Sequence, residues 1–172
     1  MSEITLENNA ISWYALRVRP KAEWSIAASL RLAGLEEFLP LVRRGRQWSD
    51  RWKESEQPLF PGYVFCRMSL ENPYRVVRTP GIAGFVGFQG VPAPIPEEEI
   101  DAVKRMLDSE RRLRPTALLR EGQRVKVRSG PLSGLEGLLK RIKNERLLVV
   151  NLNLLQRSVA VELDGDAVVP YA

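Results

Sequence analysis

Residues 43–53 read Arg-Arg-Gly-Arg-Gln-Trp-Ser-Asp-Arg-Trp-Lys, five cations against one anion with two tryptophans among them. Guanidinium groups pair with phosphate oxygens, and an indole offers a face on which a base stacks. Arg43, Arg44, Arg46, Trp48 and Arg51 are therefore candidate nucleic-acid-facing residues. A charged, solvated loop would have the same composition, and both readings stand at this point. A second stretch, Phe60-Pro61-Gly62-Tyr63-Val64-Phe65, breaks the backbone at a Pro-Gly step and enters a run of aromatic and β-branched residues. One reading is a core strand with a tight entry turn. The other makes Phe60, Pro61 and some of the aromatics an apolar docking patch.

Catalysis finds little to work with. The 172 residues include no histidine and a single cysteine. Ser-His and Cys-His pairs are thereby excluded, and one thiol cannot build a zinc-thiolate cage. Glu97, Glu98 and Glu99 are consecutive, so on a helix they diverge rather than pair. The glycines between Gly130 and Gly137 lack the Lys-Ser/Thr ending of a phosphate loop. No enzyme activity, metal or cofactor is expected. Cys66 reads as a small buried apolar residue. The chain is 44% hydrophobic and 27% charged with a formal net charge of +5, an excess compatible with a polyanionic partner. No apolar run approaches membrane-spanning length and no signal-peptide pattern opens the chain, so the reducing cytoplasm is the expected compartment and no membrane the expected partner.

The elements that must hold these residues follow from periodicity. After a polar tail over residues 1–9, residues 12–19 alternate as a strand, with Trp13, Ala15 and Arg17 on one face and Tyr14, Leu16 and Val18 on the other. A helix is predicted over residues 21–33, burying Ala22, Ile26, Ser29, Leu30 and Ala33. Residues 37–42 read as a strand, and residues 43–53 as a hairpin turning at Ser49-Asp50. The strand after Gly62 has two apolar faces and must be central. A short helix over residues 71–79, a glycine-spaced strand over 84–88 and a helix from Pro96, buried through Ile100, Val103 and Leu107, complete the first domain. Residues 113–119 read as a linker. Beyond them, from Arg120 onward, the pattern is all β, with five short strands: one where Val125 and Val127 alternate with Lys126 and Arg128, then 138–142, 147–152, 158–163 and 167–170. The expected fold class is α+β: a split βαβ sandwich over residues 10–113, a linker over 114–119, and a small five-stranded SH3-like β-barrel over 120–172.

Together the motifs resemble the NusG-like transcription elongation factors over nearly the whole chain. Trp13-Tyr14, Leu59-Phe60-Pro61-Gly62-Tyr63-Val64-Phe65 and Arg78-Thr79-Pro80-Gly81-Ile82 are similar to the family's N-terminal NGN domain. Residues 121–127 and 130–137 are similar to its KOW domain. Residues 46–51 and Ala93-Pro94-Ile95-Pro96 look closer to the specialised UpxY-type antiterminators of polysaccharide and other long operons. The resemblance implies docking on the clamp helices of RNA polymerase through Trp13, Tyr14, Phe60, Pro61, Tyr63 and Phe65, and a processive polymerase as the result. It implies that Arg17, Arg19 and Lys21 join the hairpin in facing upstream or non-template DNA. It also implies that Gly130, Pro131 and Leu132 offer the KOW domain to a ribosomal protein or termination factor. A monomer is expected. The alternative is an RNA- or ribosome-binding KOW protein with no polymerase role. One specialised member of the family can fold its C-terminal half as a helical hairpin that masks the docking patch. Here Gly130, Pro131, Gly134 and Gly137, with the alternating Val159 and Val161, favour a barrel and an open patch.

Overall fold

The computed structural model describes residues 10–164 and 167–170, and of Trp48 the backbone only. The tail expected at residues 1–9 and the tip of the turn at 165–166 lie outside the described residues. In chain order the elements are β1 Ser12–Val18, α1 Glu23–Leu32, β2 Glu36–Phe38, β3 Leu41–Trp48, β4 Arg51–Pro58, β5 Tyr63–Met68, α2 Tyr74–Val77, β6 Ile82–Phe85, β7 Gly87–Phe88, β8 Val91–Pro92 and α3 Glu97–Asp108. Then come β9 Leu113–Ala117, β10 Gln123–Val127, β11 Glu136–Ile142, β12 Glu145–Leu152, β13 Arg157–Glu162 and β14 Val168–Pro170. The fold is α+β, as the alternation of patterns predicts.

Among the described residues two compact units emerge, one holding residues 10–39 with Pro61–Glu97, the other Pro40–Phe60 with the described residues from Glu98 onward. The first is built on an antiparallel sheet in the order β2-β5-β1-β6. Its central strand β5 buries both faces, because Tyr63, Phe65 and Arg67 alternate with Val64, Cys66 and Met68. One face packs Tyr14, Leu16, Val18, Val64, Cys66 and Met68 against Ile26, Ala27 and Leu30 of α1 and Val76 of α2. The helix turns Glu23, Ile26, Ala27 and Leu30 inward, while Ser29 and Ala33, expected on the buried stripe, are exposed. The other face carries an aromatic cluster, with Trp13 edge-on to Phe38 at 6.3 Å and Phe38 tilted against Phe65 at 5.9 Å.

The second unit holds the β3–β4 ribbon, α3 beyond its first residue, and a six-stranded antiparallel sheet in the order β14-β10-β11-β12-β13-β9. The five strands expected of the C-terminal half all form, so it is β and not a helical hairpin. The sixth corrects the linker: residues 113–117 are a strand, pairing Leu113 with Val161 through to Ala117 with Arg157. Pro115 is tolerated because β9 lies at a sheet edge, where a missing N–H leaves no ladder bond unmade. A polar network ties the following residues down. Ser158 Oγ donates to Asn151 Oδ1 at 2.5 Å, Asn151 Nδ2 donates to the Leu119 carbonyl at 2.8 Å, and the Leu119 N–H donates to Ser158 Oγ at 3.3 Å. Ser158 is fully buried, so each partner it satisfies removes a desolvation cost.

Candidate nucleic-acid and partner interface

The ribbon is where the candidate residues sort themselves. Its two-residue turn at Ser49-Asp50, with Ser49 in the left-handed region at φ +45°, sets Trp48 opposite Arg51, Arg46 opposite Lys53 and Arg44 opposite Ser55. Directly opposed residues share a face of the ribbon. Arg44, Arg46, Arg51 and Lys53 therefore stand together, with no carboxylate among them. Arg46 opposite Lys53 is a like-charge pair, which weakens the ribbon by itself and is relieved by a polyanion laid across it. Arg43 belongs to the reverse face, opposite Glu56. Of the five residues singled out in this segment, Arg44, Arg46 and Arg51 share the basic face, with the Trp48 backbone in the same register; Arg43 does not join them. Lys53, the last residue of the basic run, shares that face opposite Arg46.

The Phe60–Phe65 motif divides between core and surface. Trp13, Tyr14, Phe60 and Phe65 are 2%, 5%, 1% and 0% exposed. These four are core side chains, which corrects the expectation of an open six-residue patch. For Trp13, Tyr14 and Phe65 the physical reason is position: β1 and β5 are the inner strands of the sheet, whereas Phe60 precedes β5 and ends the segment Pro40–Phe60 of the second unit. Pro61 is exposed and Tyr63 half-buried. Tyr63 pairs with exposed Arg17 across β1 and β5, so the accessible end of the motif is Pro61, Tyr63 and Arg17. Arg19 and Lys21 are exposed just beyond β1, where the Arg19 N–H donates to the Gly81 carbonyl at 2.9 Å. Lys21 takes a left-handed backbone at φ +66°.

The turn itself is held by a residue the motif does not contain. Glu23 is 3% exposed, and its Oε1 accepts the Gly62 N–H at 3.0 Å. The Val18 N–H donates to the Gly62 carbonyl at 2.9 Å. Both polar groups of Gly62, at φ +87°, are thus engaged from the end of β1 and the first turn of α1. The sequence signal was there, a carboxylate on the buried stripe of a helix. The same sheet holds Cys66, whose thiol is pushed up to about 12 by burial, with the Glu37 and Glu36 carboxylates adding to the effect. It stays protonated at neutral pH and is no nucleophile.

In the C-terminal half, Gly130 and Pro131 are exposed but Leu132 is 2% exposed. The turn closes with the Ser133 N–H on the Gly130 carbonyl at 3.1 Å and the Leu135 N–H on the Leu132 carbonyl at 3.0 Å. Arg105 of α3 donates to the Ser133 carbonyl. Leu132 is an inward anchor of its own turn rather than a surface for a partner. Its apolar side chain is the one in the turn that gains from leaving water.

Residues 11–104 match the NusG family, described as transcription termination factor nusG. The chain is 31% identical over 170 residues to the transcription termination/antitermination protein NusG of Pseudomonas aeruginosa, covering 91% of this chain and 96% of that protein. Over 135 residues it is 37% identical to the protein of the same name from Halalkalibacterium halodurans, covering 74% and 75%. Among solved structures it is similar to Thermotoga maritima NusG, with a TM-score of 0.56 at 24% identity, covering 96% of this chain and 99% of that one. At that identity the likeness concerns the fold.

Proposed function

The chain belongs to the NusG family of transcription termination factors, and on that premise we propose that it binds RNA polymerase at the clamp helices and promotes processive elongation. The observation that carries this reading is the β3–β4 register, which gathers Arg44, Arg46, Arg51 and Lys53 on one ribbon face. Four cations without an acid among them suit a phosphate backbone, and upstream or non-template DNA is the strand at hand beside an elongating polymerase. Polymerase contact falls to Pro61 and Tyr63, the accessible end of the motif, and the exposed Arg17, Arg19 and Lys21 are assigned to nucleic acid. The buried Trp13, Tyr14 and Phe65 belong to the sheet that carries that end. Gly130 and Pro131 remain for a ribosomal protein or termination factor.

Within the family, residues 46–51 and 93–96 favour the specialised antiterminators, acting on a long operon such as one for polysaccharide biosynthesis. The protein works in the cytoplasm as a monomer, by binding alone, with no catalytic step and no cofactor. Affinity purification of the full-length chain from its own cells tests the reading. Core polymerase subunits are expected in nuclease-treated eluates. Ribosomal RNA and ribosomal proteins without polymerase would overturn it and favour a ribosome-binding KOW protein.

A further inference from the structure

The reverse face of the β3–β4 ribbon is built for a different partner from the basic one. Residues 52, 54 and 56 alternate onto it together, so Trp52, Glu54 and Glu56 follow one another at about 7 Å intervals. The Trp52 indole lies across Gly45, occupying the space a β-carbon there would need. Its inner face is thus seated on backbone, and the side chain is still 68% exposed. Glu56 stands opposite Arg43, whereas Glu54 stands opposite Gly45, which has no side chain to answer its charge. Both carboxylates are exposed, and among the described residues neither has a hydrogen bond or ion pair.

This face lines a cleft of about 1030 Å3, whose other wall includes Glu110, Arg111, Arg112 and Arg114. Arg111 is committed to Asp164 at 2.6 Å and Arg114 to Glu145 at 2.9 Å. Glu110 and Arg112 offset each other in formal charge. On the ribbon wall Arg43 offsets Glu56, and Arg44, which also lines the cleft, belongs to the other face of the ribbon; the charged side chain that follows Trp52 on its own face is the carboxylate of Glu54. A nucleic acid is a poor occupant, because phosphates would meet Glu54 and Glu56. A cation is a good one: an ammonium or guanidinium over an indole face is attracted by the ring quadrupole, and the neighbouring carboxylate adds a charge-assisted hydrogen bond.

We propose that Trp52 and Glu54, with Glu56, form a receptor for an arginine or lysine side chain carried by a basic segment of a protein partner. The ribbon then has two sides, one for nucleic acid and one for protein, and this second site stands or falls independently of polymerase docking.

The test is a titration of the 15N-labelled full-length protein with acetyl-Gly-Arg-Gly-Arg-Gly-amide, following the Trp52 indole N–H, assigned by its loss in Trp52→Phe. Its glutamate counterpart and dT15 are the control ligands. The arginine peptide is expected to shift the Trp52 resonance saturably. Glu54→Gln should weaken that binding about three-fold or more, and Gly45→Ala, which displaces the indole without altering charge, should weaken it comparably. The amide dispersion of each variant reports its fold. The +5 net charge of the protein repels the peptide in general, so a saturable shift is local. A Trp52 resonance that ignores the arginine peptide, that responds equally to the glutamate peptide, or that responds to dT15 instead overturns the proposal.

Discussion

Phe60 and Tyr63 lie three residues apart and belong to different environments. Phe60 is 1% exposed, so Phe60→Ala should remove core packing and destabilise the fold by about 3–5 kcal/mol in urea unfolding. Tyr63 is half-buried at the open end of the sheet. Tyr63→Ala should leave the unfolding midpoint nearly unchanged while costing about 2 kcal/mol of polymerase affinity, the usual loss for an aromatic anchor. Equal destabilisation by both substitutions would place Tyr63 in the core. Glu23 gives a third residue-level expectation. Glu23→Ala strips the half-buried Gly62 N–H of its acceptor, and losing such a hydrogen bond costs about 0.5–1.5 kcal/mol. An unchanged midpoint would mean that water replaces the carboxylate. The motif's composition made the strand and its turn readable, because Pro-Gly and alternating aromatics have few other uses. Composition does not say which side chains are covered, since that depends on β1 and β2 flanking β5. Leu132 shows the same limit: Gly-Pro-Leu-Ser-Gly announces a turn without saying that its one apolar side chain points inward.

The β3–β4 ribbon behaves as an element with two chemistries, and substitutions should sort by parity. Replacing Arg44, Arg46, Arg51 and Lys53 with glutamine should lower affinity for forked DNA. Each lost phosphate contact removes about 0.7–0.9 from the slope of log affinity against log salt, so the four together remove about 3. Arg43→Gln, on the reverse face, should leave the slope as it is. If Arg43 contributes as much as Arg44, the ribbon is a uniformly solvated charge and not a face. The hairpin was legible from Ser49-Asp50 and the extended chain on either side. Density of charge along the chain does not reveal register, which sets Arg43 on the face opposite to Arg44, Arg46, Arg51 and Lys53. β9 was hidden for a related reason: Arg-Pro within residues 113–117 looks like a connector, and only the edge position of the strand makes the proline harmless.

For the molecule as a whole, the all-β C-terminal half follows from glycine-rich turns and alternating valines that agree with one another over some fifty residues. The Ser158–Asn151–Leu119 network adds a tie that alternation cannot reveal. How the chain divides is less legible, because Pro40–Phe60 groups with the residues from Glu98 onward rather than with its sequence neighbours. The central claim is that this member of the NusG family engages RNA polymerase through the Pro61–Tyr63 end of its first sheet. A photo-crosslinking amino acid in place of Tyr63, in the full-length protein added to an elongation complex reconstituted with the polymerase of the same cell, tests it most directly. A crosslink to the clamp region of the largest polymerase subunits, competed by unlabelled protein, is expected. Crosslinks confined to ribosomal components in a mixture containing both machineries, with none to polymerase, would contradict it.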